Sequence, residues 1–325
     1  MNEVLLSLKQ QLAHIAALIP DKENVLYFDY PLHLNVGDLL IYAGTEQFFQ
    51  DYGIHIRLRR CLQAFDIEEA QKYVNKGTTI LCHGGGNFGD LYPSIHRLRE
   101  ELVRRFPENR IIVLPQTAYF SDQAAMERSA AIFARHQDCH LFARDDKTLQ
   151  IMMNFSSKVR LSPDMAHQLY GCLAQKNSQP GQRAVEKTLY FLRKDIEASQ
   201  LEKEIQSALS AGDEVKDWQD ILSQGDMRRE LLYSRLSRLA NKFRLAWLKD
   251  WINNSWYSYS MALIERCRQV FVAYDSVVTS RLHGHIFSCL LGVPNRVCDN
   301  SYGKNTGYYR QWTKDIDYVS LYEKE

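Results

Sequence analysis

The chain has no C-x-x-C pair, no H-E-x-x-H, no G-x-x-x-x-G-K-[ST] and no G-x-S-x-G. These absences remove the common zinc-site spacings, the phosphate loop of the P-loop enzymes and the nucleophile elbow of the α/β-hydrolases. Seven cysteines, an odd number, stand at positions 61, 82, 139, 172, 267, 289 and 298, and Cys82 and Cys289 lie in apolar runs. They read as small reduced hydrophobes and exclude a disulfide frame. No signal peptide opens the sequence, and its longest apolar run, "IFSCLLGV", is the length of a core segment and not of a membrane span. The expected location is the cytoplasm, with peripheral contact at the inner membrane face kept open. A formal net charge of +1 gives no global attraction to nucleic acid, so any polyanion site must be a local patch.

What is present describes a soluble α/β protein. With 325 residues, 45% hydrophobic and 24% charged, the chain exceeds one ordinary core and suits two lobes. Residues 3–19 place Leu5, Leu8, Leu12, Ile15 and Ile19 at helical spacing before Pro20, an amphipathic helix expected to dock on the body. The segments "NVLYFDYP", "TTILC", "RIIVLPQ" and "CHLFARD" read as short buried strands alternating with helices, the pattern of a parallel sheet covered on both faces. A polar stretch at about 171–187 reads as a linker between an N-terminal lobe, 1–175, and a C-terminal lobe, 187–325. In the second, "KTLYFLRKD", "QVFVAYD" and "PNRVCD" read as strands, "SVVTS" as a short segment and "GHIFSCLLG" as a helix. Two Rossmann-like lobes facing across a cleft is the expected architecture.

The run "TTILCHGGGNFGDLY" tests several chemistries. Gly84, Gly86 and Gly89 spell G-x-G-x-x-G between a strand and a helix. A dinucleotide site also needs an acidic residue ending the next strand. That strand ends in Pro115 and Gln116, and the motif is not on the first strand. "HGGG" spells an esterase oxyanion loop, but the required nucleophile elbow is missing. Asp315 and Asp317 form a D-x-D near the C-terminus, read as a solvated loop. No metal and no resident cofactor is implied.

What remains is a set of polar residues at strand ends, where open α/β sheets bind ligands. The first half contributes Asn35 and Asp38 in "NVGD", with His83, Gly85, Asn87 and Asp90 in "HGGGNFGD". From the second come Arg193 in "FLRKD", Arg281, His283 and His285 in "TSRLHGH", and Asn300 and Lys304 in "DNSYGKN". Each has a bland alternative: Asp38 as a helix N-cap, Arg193 in a surface ion pair, the histidines as satisfied core groups. Together they set two arginines, a lysine and two histidines opposite carboxylates, a poor way to build a core and a good way to hold a small polyanion.

At these residues the sequence resembles the polysaccharide pyruvyl transferase family. The four motifs are "NVGDLLI", "HGGGNFGDLY", "TSRLHGHIFSCLLGVP" and "DNSYGKNTGYYRQW", in the family's order, and "IPDKENVLYFDYP" is similar to its bacterial exopolysaccharide branch. The resemblance implies a GT-B arrangement and transfer of the pyruvyl unit of phosphoenolpyruvate, as co-substrate, to a sugar diol. It implies that Arg193 and Arg281 grip phosphoenolpyruvate, that His283 is the acid or base, and that Lys304 assists. Asp38 is the candidate base and Asn87 a partner for sugar hydroxyls, while glycines 84–86 let the acceptor or phosphate approach the backbone. The rival readings are a GT-B glycosyltransferase using a nucleotide sugar and a non-catalytic sugar- or anion-binding protein. The basic, aromatic stretch 226–257 reads as an exposed helical face of the second lobe, or as a patch for anionic lipid or a lipid-linked oligosaccharide acceptor.

Overall fold

A computed structural model of the chain describes residues 2–176, 187–194, 200–209, 214–299 and 303–322. Two parallel sheets organise it. The first comprises β1 (Val25–Phe28), β2 (Ile56–Arg60), β3 (Thr79–Cys82), β4 (Gly85–Gly89), β5 (Arg110–Tyr119), β6 (Cys139–Ala143) and β7 (Lys158–Leu161). Its order is β2-β1-β3-β5-β6-β7, with β4 pairing onto the far half of β5. The second comprises β8 (Thr188–Phe191), β9 (Glu214–Lys216), β10 (Ser276–Thr279), β11 (Asn295–Val297) and β12 (Val319–Leu321), in the order β12-β11-β10-β8-β9.

The central strands are buried on both faces, and their side chains divide with period two. Val25, Tyr27, Leu81, Ile112 and Leu114 enter one core, which the helices Val36–Asp51, Ala246–Val272 and Leu282–Leu291 complete. Leu26, Phe28, Ile80, Cys82, Ile111 and Val113 enter another, covered by the helices Pro93–Arg105 and Gln123–Phe133. The first of these cores also contains Leu189, Phe191 and Val277 of the second sheet, so one apolar body runs through both halves of the chain. The N-terminal segment docks as its periodicity predicts: Leu5, Leu8, Leu12, Ile15 and Ile19 are all buried, and Lys9 Nζ donates to Tyr170 O at 3.2 Å.

Three local expectations are corrected. "QVFVAYD" is not a strand: it is mostly the last part of the 27-residue helix Ala246–Val272, and the strand is the adjacent "SVVT". Ile264, Cys267 and Phe271 sit on one buried face at helical spacing, and this packing overrides the β-propensity of Val270 and Val272. The "GGNFG" turn forms β4. The stretch 226–257 is more than an outer face of the second half, because its helices, Gln224–Lys242 and Ala246–Val272, reach across to elements of the first sheet. Asn253 Nδ2 donates to Tyr42 Oη at 2.8 Å, Trp256 Nε1 to Pro31 O at 2.7 Å, and buried Lys249 pairs with Glu69 at 2.7 Å. At its other end the same helix packs Phe271 against Phe191, ring centres 4.9 Å apart. Most of the expected linker, 177–186, lies outside the described residues. Among the described residues no helix is long and apolar enough to cross a membrane, and no group of three or more His, Cys, Asp or Glu could hold a metal.

Candidate active site

The carboxyl ends of strands from both sheets converge on a cavity of about 270 Å³, near the lower end of small-ligand sites. On the first-sheet side, the chain leaves β1 and enters the helix Val36–Asp51. Asn35 is its N-cap: its Oδ1 accepts from the Gly37 N–H at 3.1 Å, and its Nδ2 donates to Asp38 Oδ2 at 2.9 Å. Capping therefore falls to Asn35, and Asp38 stands in the first turn, where the helix dipole favours a carboxylate. His33 Nε2 lies 3.7 Å from the same carboxylate oxygen. His33, Asn35 and Asp38 all border the cavity.

The glycine motif supplies the adjoining wall. Gly85 holds φ +129°, a backbone region that L side chains rarely adopt, and a Cβ there would stand 3.6 Å from Asp38 Oδ1. Gly86 and Asn87 border the cavity and Gly85 does not. Asn87 is held from beneath by Arg99, whose guanidinium donates to Asn87 Oδ1 at 2.6 Å and Asn87 O at 3.0 Å. With its oxygen so engaged, the amide nitrogen is the polar group Asn87 has left to offer a ligand. Arg99 also donates to His83 O at 3.2 Å and pairs with Asp29 at 3.1 Å, all inside the protein. His83 is not on this cavity's wall; it lines a small adjoining pocket together with His33, Asp38 and Asn87. Its Nδ1 bonds Tyr27 Oη at 2.5 Å, and burial, with the Arg99 charge adding to it, holds its pKa well below the ordinary imidazole value. Asp90 turns away and accepts from the Ser121 and Asp122 N–H groups at 2.7 and 3.0 Å.

The second sheet contributes the cations. Arg193 follows β8 and Arg281 follows β10, and both line the cavity. The Arg193 N–H donates to Ser280 Oγ at 2.9 Å, which fixes the two strand ends to each other. Asp217, fully buried, grips Arg281 bidentately at 2.8 and 2.6 Å and also accepts from the Lys194 and Trp218 N–H groups. This carboxylate fixes the guanidinium fork, and Trp218 forms part of the cavity wall.

His283 sits in the first turn of the helix Leu282–Leu291, and its Nε2 lies 3.2 Å from Asp164 Oδ2. Asp164 comes from the other half of the chain, just after β7. It is fully buried and ion-paired with equally buried Arg144. Burial acts to raise the Asp164 carboxyl, but the charges of His283 and Arg144 and the Ala166 N–H outweigh it and hold the group well below the usual carboxylate range. With Nε2 engaged by Asp164, Nδ1 is the ring nitrogen left to act. It lies against Gly37, where a Cβ would come within 2.8 Å of it. The absence of a side chain at Gly37 is what lets His283 reach the start of the Val36–Asp51 helix and stand near Asp38.

The structure therefore brings Asn35, Asp38, Asn87, Arg193, Arg281 and His283 to one cavity. His285 is elsewhere: it is completely buried, with Nδ1 bonded to Asn295 Oδ1 at 2.6 Å and Nε2 to Thr313 Oγ1 at 2.8 Å. The bland alternative holds for that residue. Asn300 lies outside the described residues, as does the side chain of Lys304, whose backbone opens the helix Lys304–Tyr308. Its neighbour Asn305 borders the cavity and donates to Ser280 O at 2.7 Å and Cys298 O at 2.9 Å. Arg99, Arg144, Asp164 and Asp217 carry no local motif, since each works by pairing with a residue distant in sequence.

A mixed α/β protein that gathers two arginines, an imidazole and a carboxylate at the ends of parallel strands presents groups whose chemistry suits an anion. The comparison with known proteins gives that class its family. Residues 35–302 match the model of the polysaccharide pyruvyl transferase family, and the chain belongs to it. A Bacillus subtilis (strain 168) protein named "Putative pyruvyl transferase EpsO" is 36% identical over 323 residues, covering 98% of this chain and 94% of that protein. "Pyruvyl transferase 1" of Schizosaccharomyces pombe (strain 972 / ATCC 24843) is 26% identical over 309 residues, covering 89% of this chain and 70% of that one. The crystal structure of an uncharacterized protein from Klebsiella pneumoniae subsp. pneumoniae NTUH-K2044 superposes with a TM-score of 0.58 at 19% identity, covering all of both chains. That likeness shows the fold alone.

Proposed function

We propose that this enzyme transfers the pyruvyl unit of phosphoenolpyruvate to a sugar diol of an exopolysaccharide or cell-surface glycan precursor, in the cytoplasm, forming a cyclic ketal and releasing phosphate. The observation that carries the proposal is the meeting of Arg193, Arg281 and His283 with Asp38 and Asn87 in one cavity. In this reading the two sheets are the cores of Rossmann-like lobes, about 1–175 and 187–325, in a GT-B arrangement, with the acceptor on the first and the donor on the second.

The residue types fit each step. Phosphoenolpyruvate carries a carboxylate and a phosphate around one enol carbon, and each matches a guanidinium fork. Arg193 and Arg281 hold these groups, and the Asp217 pair keeps Arg281 in one orientation. His283, protonated and held by Asp164 at Nε2, gives its Nδ1 proton to the methylene carbon, which becomes a methyl. One sugar hydroxyl adds to the resulting oxocarbenium-like carbon and loses its proton to Asp38. The second hydroxyl then displaces phosphate, and its proton leaves with that group. Return of the Asp38 proton to His283 restores both groups, so the two hydroxyl hydrogens account for the new methyl hydrogen and the released hydrogen phosphate. Asn87 orients the diol.

Phosphate release from phosphoenolpyruvate, with pooled sugar acceptors, tests this directly. Turnover is expected in the wild type and lost in His283→Ala and Arg281→Ala, with both variants folded by circular dichroism. Wild-type phosphate release no faster than buffer, together with binding of a nucleotide sugar, overturns the proposal in favour of glycosyl transfer.

A further inference from the structure

The hairpin of helices Gln224–Lys242 and Ala246–Val272 has a second side that is exposed. Met227, Leu231, Leu232 and Leu239 are exposed on the first helix. Past the turn, Phe243, Trp247 and Trp251 are exposed as well, Trp247 to 68%, while one side of Trp251 stacks on Tyr233, ring centres 6.0 Å apart. Seven of the eleven large hydrophobic side chains exposed among the described residues therefore lie in one stretch of the chain, which scattered surface apolar residues do not explain.

Basic residues occupy the same face. At about 100° per residue, Arg228, Arg235, Arg238 and Lys242 fall in the arc of about 140° that also holds the four exposed apolar residues of this helix. No acidic residue falls in that arc. Asp226 turns inward and pairs with Arg266 at 2.6 Å, and Glu230 is half-buried. Asp250, between the two tryptophans, is tied to buried Arg60 at 2.6 Å.

We propose that this face docks on the surface of an anionic lipid bilayer. Interleaved leucines and tryptophans enter the headgroup boundary while arginine stems lie along it with their cations at the phosphates. A second copy of the chain fits less well. A two-fold contact through this helix would set the same four cations against themselves with no carboxylate to offset them. The hairpin is also fixed to the cleft, because Trp256 Nε1 donates to Pro31 O in the loop that carries His33 and Asn35. Docking on this face would therefore hold the cavity at a fixed distance from the lipid surface. The proposal rests on the surface alone and stands whether or not the transfer chemistry above is right.

Flotation with phosphatidylglycerol–phosphatidylcholine vesicles, against pure phosphatidylcholine, at low and high salt, tests it. Wild type is expected to float with the anionic vesicles at low salt and to be released by high salt. Arg235→Glu/Arg238→Glu should weaken partitioning at least about 25-fold, from about fivefold per basic residue, with the urea midpoint unchanged. Trp247→Ser should weaken it too and diminish the blue shift of tryptophan emission on binding. No flotation of the wild type, or flotation unaffected by these variants, overturns the proposal. So does a dimer in sedimentation velocity that the same substitutions split while vesicles remain unbound, since that assigns the face to self-association.

Discussion

Replacing Asp164 with Asn keeps the shape of a fully buried side chain and removes its charge. Oδ1 can still accept from the Ala166 N–H, now at 2.8 Å. The other position, now an amide nitrogen, faces two donors, the Arg144 guanidinium and His283 Nε2. Loss of a charge-assisted hydrogen bond alone costs about 1.5–3 kcal/mol. Leaving Arg144 buried without its counter-charge raises that to about 3–5 kcal/mol. Urea unfolding at neutral pH, followed by tryptophan fluorescence and far-ultraviolet circular dichroism, measures the difference. The double variant Arg144→Met/Asp164→Leu removes both charges, so it should be less destabilised than the sum of the single changes, with a coupling of about 2 kcal/mol or more. The sign in acid is also fixed. The folded-state pKa of Asp164 is depressed, so its contribution is complete above about pH 4, the unfolded value, and is lost as pH falls toward the folded one. The gap between wild type and Asp164→Asn must therefore narrow in acid. A neutral-pH cost within about 1 kcal/mol of zero, or a double variant as unstable as the summed singles, would refute the view that this pair carries a real buried charge.

Gly37→Ala would ordinarily strengthen a helix by up to about 1 kcal/mol, yet its methyl must displace the His283 ring. Turnover is expected to fall about tenfold or more with little change in the urea midpoint, and unchanged turnover would sink the contact's role in positioning His283. Burial, against the pull of Arg99, pushes the Asp29 carboxyl up to about 7. The folded state thus binds that proton more tightly than the unfolded chain, and this group's contribution to stability is present below about pH 4 and lost as pH rises through 7. Histidines lowered by burial act in the opposite sense, so the difference between Asp29→Asn and wild type isolates the carboxyl; the same midpoint-versus-pH slope in both contradicts the shift.

The repeated strand–turn–helix units were legible because parallel strands buried on both faces must be short and apolar, and "VLYF", "TILC" and "CHLFA" are. The motif residues were legible because strand ends are where such sheets present polar groups, and Arg193, Arg281, His283, Asn87 and Asp38 do meet in one cavity. His285 was not separable from His283 by pattern: two positions apart in a first helical turn, one points to the cavity and the other to Asn295 and Thr313. The end of the long helix reads as strand from sequence because an apolar run rich in β-branched residues satisfies either period until its packing partners are known.

The sequence by itself determined which residue types stand at which strand ends, since local periodicity and turn chemistry act over a few residues. It also determined the family, through four motifs kept in order. Only the tertiary structure decided what holds them. Arg99 under Asn87, Asp217 on Arg281 and Asp164 on His283 are pairs separated by 12, 64 and 119 positions, and a charge chooses its partner by distance in space, where burial makes the pairing strong. The long helix that ties Phe191 of one sheet to Tyr42 and Pro31 beside the other belongs to the same class of fact. The basic, aromatic stretch is continuous in sequence, and only packing could assign one side of the two helices to the body and leave the other, with the arginines of Gln224–Lys242 and with Trp247, to the outside.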